Sequence, residues 1–266
     1  MSDSLLQNRT IVVVGGTTGL GLSGAAACVA HGAKVVVVGR NSDSAEAALR
    51  ELPPPHTRVV VGDAIDPQTA PAAIARALEE FGRFDGLYHV AGGSGRRFGD
   101  GPLHELTDEG ITKTLELNLT SVILSNRAAA RSFLDRGVSG VVLNMGSVLG
   151  YSPSPQFFAT HTYAAAKAAI IGFTQSCAAY YASQGLRFNV IAPALVETPM
   201  AQRAAGDGTI LEFIKTKQPL DGGRIGRATD LDAAAAFLLS DGAKYVTGQT
   251  LAVDGGWTVS EGQVPR

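Results

Sequence analysis

Val12-Val13-Val14-Gly15-Gly16-Thr17-Thr18-Gly19-Leu20-Gly21, near the start of the chain, joins an unbroken β-branched run to a glycine-rich turn. A strand without polar alternation is buried on both faces, as in a parallel sheet covered by helices. The spacing Gly15-xxx-Gly19-x-Gly21 places glycines at the turn and at the opening of the next helix. Glycine tolerates positive φ and lets main chain approach a ligand closely. The free N–H groups and positive end of the following helix then suit a phosphate. A tight strand-to-helix turn needs glycine anyway, but position after the first buried strand of a βαβ unit strengthens the phosphate reading.

The same alternation continues along the chain. Strands are predicted at Thr10–Val14, Lys34–Gly39, Arg58–Val61, Gly86–Val90, Gly140–Met145, Arg187–Ile191 and Thr250–Val253. Helix-length stretches between them are Leu20–His31, Ser42–Leu52, Pro67–Phe81, Thr107–Leu134, Tyr163–Gln184 and Asp230–Leu239. Repeated β-then-α order implies βαβ crossovers and an α/β, doubly wound parallel sheet with helices on both faces. Pro53-Pro54-Pro55 reads as a helix stop, and no linker or repeat divides the chain, so residues 1–266 are expected to form a single domain.

Composition narrows the function. The chain has 266 residues, 45% of them hydrophobic and 17% charged, with a net charge of −2. That is globular and gives no support for nucleic-acid binding, which calls for a basic excess. The longest apolar run, Ala233–Leu239, is far short of the about 20 residues that span a bilayer, and no signal peptide fits the N-terminus. Cys28 and Cys177 lack CxxC spacing, which suggests neither disulfide framework nor metal site and makes a reducing cytoplasm the expected compartment.

At the end of the second strand an acidic residue would bind a ribose 2′-hydroxyl, and an arginine would accommodate a 2′-phosphate. Here Val35–Val38 run into Gly39-Arg40-Asn41, with no acid before Asp43. Arg40 therefore favours NADP, with NAD as the alternative; a solvated surface arginine is the bland reading. Tyr163 and Lys167, at i and i+4, share a helix face, so the ammonium is expected to draw the phenol pKa from about 10 toward working pH. Such a tyrosine serves as general acid or base. Ser147 ends an apolar strand, at the ligand face of a parallel sheet, and Asn118 is a polar residue in an apolar helical stretch. Taken singly, these are also a turn serine and a buried amide bonded to backbone.

Taken together, Gly15-xxx-Gly19-x-Gly21, Ala91-Gly92, Asn118, Ser147, Tyr163-xxx-Lys167, Asn189-Val190-Ile191-Ala192-Pro193 and the closing Val246–Gly256 stretch resemble, in this order, the short-chain dehydrogenase/reductase family. The likeness spans about residues 9–257 and looks nearest to the 3-oxoacyl-carrier-protein reductase branch. It implies a Rossmann-like sheet of about seven strands and an NAD(P)-dependent oxidoreductase acting on a small-molecule ketone or secondary alcohol. By resemblance, Tyr163 exchanges the substrate proton and Ser147 polarises the substrate oxygen. Lys167 tunes Tyr163 and holds the nicotinamide ribose, and Asn118 anchors a water relay. The cofactor set implied is Gly15, Thr17, Thr18, Gly19, Leu20, Arg40, Asp63, Ala64, Ala91, Gly92, Tyr163, Lys167, Pro193, Val196 and Thr198, with no metal. Asp63 corresponds to the family's adenine-contacting aspartate.

His89-Val90 stands where an Asn-Asn pair is usual, leaving His89 as either a structural residue or an added acid–base group. Segments 94–102, 151–162 and 199–222 are expected to frame the substrate. Phe157 and Phe158 read as an aromatic flap or as subunit packing, and Arg96-Arg97 as an anion site or a solvated loop pair. Residues 201–216, with mixed polarity, read as a lid. The apolar final strand Thr250–Val253 and the multi-faced apolar helices predict a homotetramer. A non-catalytic nucleotide-binding scaffold is the competing function; the intact Asn118, Ser147, Tyr163 and Lys167 set favours the enzyme.

Overall fold

Side-chain alternation along β1 (Thr10–Val14) and β2 (Lys34–Gly39) sorts the core into two layers. Ile11, Val13, Val35 and Val37 face one layer with Ala25, Cys28, Ala235 and Ala236. Val12, Val14, Val36 and Val38 face the other with Ala73, Ala77, Ala129 and Phe133. Full burial of each valine is worth roughly 1.5–3 kcal/mol, so a charge at any of these positions would break a layer. The computed structural model describes residues 4–198 and 201–264.

The remaining strands are β3 (Thr57–Val61), β4 (Gly86–His89), β5 (Gly140–Met145), β6 (Leu186–Pro193) and β7 (Thr250–Val253). All seven form one parallel sheet in the order β3-β2-β1-β4-β5-β6-β7. The order reverses between β1 and β4, and a ligand cleft forms beyond the carboxyl ends of the strands at such a switch point. Gly39 is in register with Val61, and His89 pairs with both Val14 and Asn144, so these strand ends share one rim.

One face carries α1 (Gly19–Ala30) and α9 (Asp232–Leu239); the other carries α3 (Thr69–Phe81), α5 (Ser121–Asp135) and α6 (His161–Tyr181). α2 (Ser42–Glu51) packs beside β3 at the sheet edge. Besides shifts at element ends, two stretches differ from the sequence expectation. The helix predicted over Thr107–Leu134 is α4 (Asp108–Leu115) and α5 joined by a π turn, Glu116–Thr120, which carries Asn118. The stretch 201–216 is helical: α7 (Gln202–Ala205) and α8 (Gly208–Lys217), the latter started by Asp207, whose Oδ1 accepts from Thr209 N–H at 2.9 Å and Ile210 N–H at 3.2 Å. Residues 199–200 of the expected substrate segment 199–222 lie outside the described residues.

Candidate active site

The turn after β1 is built by close main-chain approach. Gly15 has φ +83°, and a Cβ there would stand 2.5 Å from Ala91 N; one at Gly21 would stand 1.9 Å from Gly15 O. Gly15 and Gly16 N–H both donate to Val38 O at 2.9 Å, pinning the turn to β2. Thr18 precedes α1 in extended geometry and supplies no side-chain cap, so the first-turn N–H groups of α1 are left for a ligand. This uncapped helix end beside a glycine cradle fits a dinucleotide pyrophosphate.

One cleft of about 1010 Å³ runs past that turn. It is lined by each residue named from the sequence as catalytic or cofactor-binding, from Gly15, Thr17, Thr18, Gly19 and Leu20 to Pro193, Val196 and Thr198. Arg40 borders it with its side chain about half exposed, and Nη1 lies 3.7 Å from Asp63 Oδ2. A Cβ on Gly39 would stand 2.2 Å from Thr17 Oγ1, so an acidic side chain at the end of β2 has no room while Thr17 is present. Asn41 Oδ1 caps α2, accepting from Asp43 N–H at 2.7 Å and Ser44 N–H at 3.1 Å.

Ser147 follows β5 and is buried, its Oγ accepting from Leu149 N–H at 3.3 Å. Tyr163 and Lys167 lie on the first turns of α6. Lys167 is buried, donates from Nζ to Met145 O at 2.9 Å, and sits 5.5 Å from the centre of the Tyr163 ring. Burial pushes the Tyr163 phenol up to about 12, and the neighbouring Ser147 hydroxyl acts in the opposite direction. Burial also pulls Lys167 down to about 8. The expected lowering of the phenol is thus not realised: desolvation penalises both charged forms more than the ammonium favours phenolate.

Asn118 is held at three points. Its Nδ2 donates to Gly93 O at 2.8 Å and Thr114 O at 2.9 Å, and its Oδ1 accepts from Gly93 N–H at 3.2 Å. His89 is fully buried, with Nδ1 2.7 Å from Ser125 Oγ and Nε2 3.1 Å from Ala91 O. A carbonyl only accepts, so Nε2 carries the proton and Nδ1 accepts from Ser125. Burial, reinforced by Lys167, lowers the His89 pKa to about 3. The ring is therefore a neutral brace between β4 and α5, not an acid–base group.

Three features were not legible in the sequence. Asp100 is buried and caps α6, with Oδ1 accepting from Thr162 N–H at 3.0 Å and Oδ2 from Tyr163 N–H at 2.9 Å. Trp257 is buried in the cleft wall, donating to Ser152 O at 3.2 Å. Phe158 meets Trp257 edge-on at 5.6 Å, and Phe157 meets Phe213 at 5.1 Å, so both phenylalanines pack within the chain. Arg203 joins Arg96 and Arg97 at the cleft. No cluster of His, Cys, Asp and Glu fit to hold a metal occurs among the described residues. No helix among them is long and apolar enough to cross a membrane.

A seven-stranded doubly wound sheet whose switch-point cleft gathers a glycine turn, Ser147, Tyr163 and Lys167 defines an oxidoreductase of the CH–OH/C=O class. The chain belongs to the short-chain dehydrogenase/reductase family: residues 14–258 match the family described as enoyl-(acyl carrier protein) reductase. Among relatives, it is 35% identical to cis-4-hydroxycyclohexanecarboxylate dehydrogenase of Sinomonas cyclohexanicum, over 94% of this chain and 96% of that one. It is 33% identical to a 3-oxoacyl-acyl-carrier-protein reductase of Chlamydia trachomatis, over 95% and 98% of the two chains. The structure of a short-chain type dehydrogenase/reductase from Mycobacterium ulcerans superposes with a TM-score of 0.87 at 30% identity, covering 97% of this chain and 92% of the other.

Proposed function

We propose that this chain is an NADP-preferring oxidoreductase interconverting a small ketone and its secondary alcohol, with Tyr163 as the proton-transferring residue. The observation that carries the reading is the gathering of Ser147, Tyr163 and Lys167, with the Lys167 ammonium 5.5 Å from the Tyr163 ring centre, in the same cleft as the glycine turn. A bound nicotinamide dinucleotide supplies the hydride. The turn at Gly15–Leu20 would hold its phosphates, Asp63 and Ala64 its adenosine end, and Ala91, Gly92, Pro193, Val196 and Thr198 the remainder; all of them line the one cleft. Arg40 and the absence of room for an acid at Gly39 support NADP over NAD.

Ser147 donates a hydrogen bond to the substrate oxygen and so stabilises charge developing there. Tyr163 remains protonated at neutral pH, because burial holds its pKa high, and delivers that proton as the alkoxide forms. Protonated Lys167 favours the phenolate left behind. The Asn118 side-chain amide is already committed to Gly93 and Thr114, so its main-chain carbonyl is the group that meets the relay water. The substrate segments act within a single domain, in a cytoplasmic homotetramer. A cyclic ketone is supported by the alicyclic substrate named for the Sinomonas relative.

Stopped-flow hydride transfer with Tyr163→Phe tests the assignment. NADPH binding stays near that of the parent, while transfer falls by at least the ~10²-fold typical of a lost general acid. Near-normal transfer would sink it.

A further inference from the structure

The cleft is bordered at one place by cations from two separate segments. Arg96 comes from the loop after β4, and Arg203 from α7. Each donates from Nη2 to the same main-chain carbonyl, Phe157 O, at 3.3 Å. The two Nη2 atoms are therefore no farther apart than twice that distance. Among the described residues neither guanidinium has a carboxylate within 4.0 Å. Asp100, the acid whose field reaches Arg96, has both oxygens engaged by Thr162 and Tyr163 N–H. Arg97 is set aside by stacking on Phe98 at 4.5 Å.

Two like charges sharing one neutral acceptor repel each other, and burial together with Arg203 lowers the Arg96 pKa. An anion shared between them would remove that repulsion. Guanidinium forks match the paired oxygens of a planar carboxylate, which offers each arginine one oxygen. The same cleft is walled by Leu149, Phe158 and Trp257, an apolar surface for a hydrocarbon body.

We infer that the substrate is an oxo acid or hydroxy acid whose carboxylate is bound by Arg96 and Arg203, with its apolar body against Phe158 and Trp257. This rests on the reading of Ser147 and Tyr163 given above, which places the reacting oxygen. The site thereby selects charged over neutral ketones of the same shape.

Trp257 is the sole tryptophan and stands in the cleft wall, so its fluorescence reports occupancy without turnover. The whole chain, with and without NADP, is titrated with cyclohexanecarboxylate, with neutral cyclohexanecarboxamide and with cyclohexyl phosphate. The carboxylate is expected to bind about tenfold tighter than the amide, a modest factor because both arginines are exposed. Arg96→Gln/Arg203→Gln abolishes that preference, whereas Arg97→Gln keeps it, and thermal melting verifies that each variant is folded. Equal affinity for acid and amide overturns the inference, as does a preference that survives the double substitution or a fluorescence response to neither compound. Tighter binding of the phosphate overturns the choice of carboxylate. A chain that binds the acid but reduces no ketone would instead refute the proposed reaction and leave the anion site standing.

Discussion

Replacing Asp100 with alanine removes a carboxylate that bonds main-chain N–H groups and so fixes the start of α6. Its two oxygens accept the N–H groups of Thr162 and Tyr163 at 3.0 and 2.9 Å, and only 3% of the residue is exposed. Leaving a buried N–H unsatisfied costs about 1–3 kcal/mol, and loss of a helix N-cap typically costs about 1 kcal/mol. The two estimates describe the same contacts and are not additive, so about 3 kcal/mol is the expected loss for the pair. For a chain of 266 residues that corresponds to a Tm lowered by about 5 °C. Asp100→Asn retains one acceptor oxygen but loses the charge that complements the helix dipole, and should lose about half as much. Because the second N–H belongs to Tyr163, kcat should fall with stability, and by a larger factor than nucleotide affinity, since the glycine turn after β1 makes no contact with Asp100. Scanning calorimetry and nucleotide titration on both variants provide the measurements. A Tm for Asp100→Ala within about 2 °C of the parent would refute the assignment of the cap as a stabilising element.

Four further outcomes follow from the geometry. Arg40→Ala should weaken NADPH about tenfold and hardly alter NADH, as measured by KM for each; equal losses would make Arg40 structural. Gly39→Asp alone should impair both nucleotides, because its Cβ would meet Thr17 Oγ1 at 2.2 Å, and adding Thr17→Gly should recover NADH use; NADH use by the single variant would contradict this. Lys167 is held near 8 against an ordinary 10.5, so its buried charge costs stability below pH 8, a cost relieved as pH rises toward 10.5. Ketone reduction should correspondingly fall above about pH 8 as the ammonium is lost, and a flat profile from pH 6 to 10 would exclude that role. Light scattering should give about four times 27.5 kDa, with Leu251→Glu on the exposed β7 edge reducing it; a mass of one chain would refute assembly.

The sheet was legible because its signal is local. β1, β2, β5 and β7 have the bounds expected from continuous β-branched runs, whereas β6 extends at both ends, to Leu186 and Pro193. The π turn at Asn118 was not legible, since one extra residue in a helical turn leaves the apolar spacing on either side intact. α8 was hidden by Gly208 at its first position and by mixed polarity, although Asp207 is an ordinary cap signal. Asn118, Ser147, Tyr163 and Lys167, singled out from residue types and order, do meet in one cleft. What surrounds it could not: Asp100 meets α6 across 62 residues, and Trp257 reaches Ser152 across 105, separations at which sequence spacing carries no contact information. The phenol pKa was misjudged for a related reason, because the i,i+4 rule describes proximity and says nothing of desolvation.

The placement of Trp257 sets an order of assembly during synthesis. The glycine turn, β5 and the first turns of α6 all precede Asp254 in the chain and so leave the ribosome before it. Only then does Trp257 reach Ser152, Lys217 bond Ser260 O, and Gln263 N–H bond Thr216 Oγ1. Until then the cleft lacks the part of its wall that Trp257 supplies. Enclosure of the cleft therefore waits on a segment that reaches back to Ser152, Thr216 and Lys217, each far earlier in the chain than Trp257.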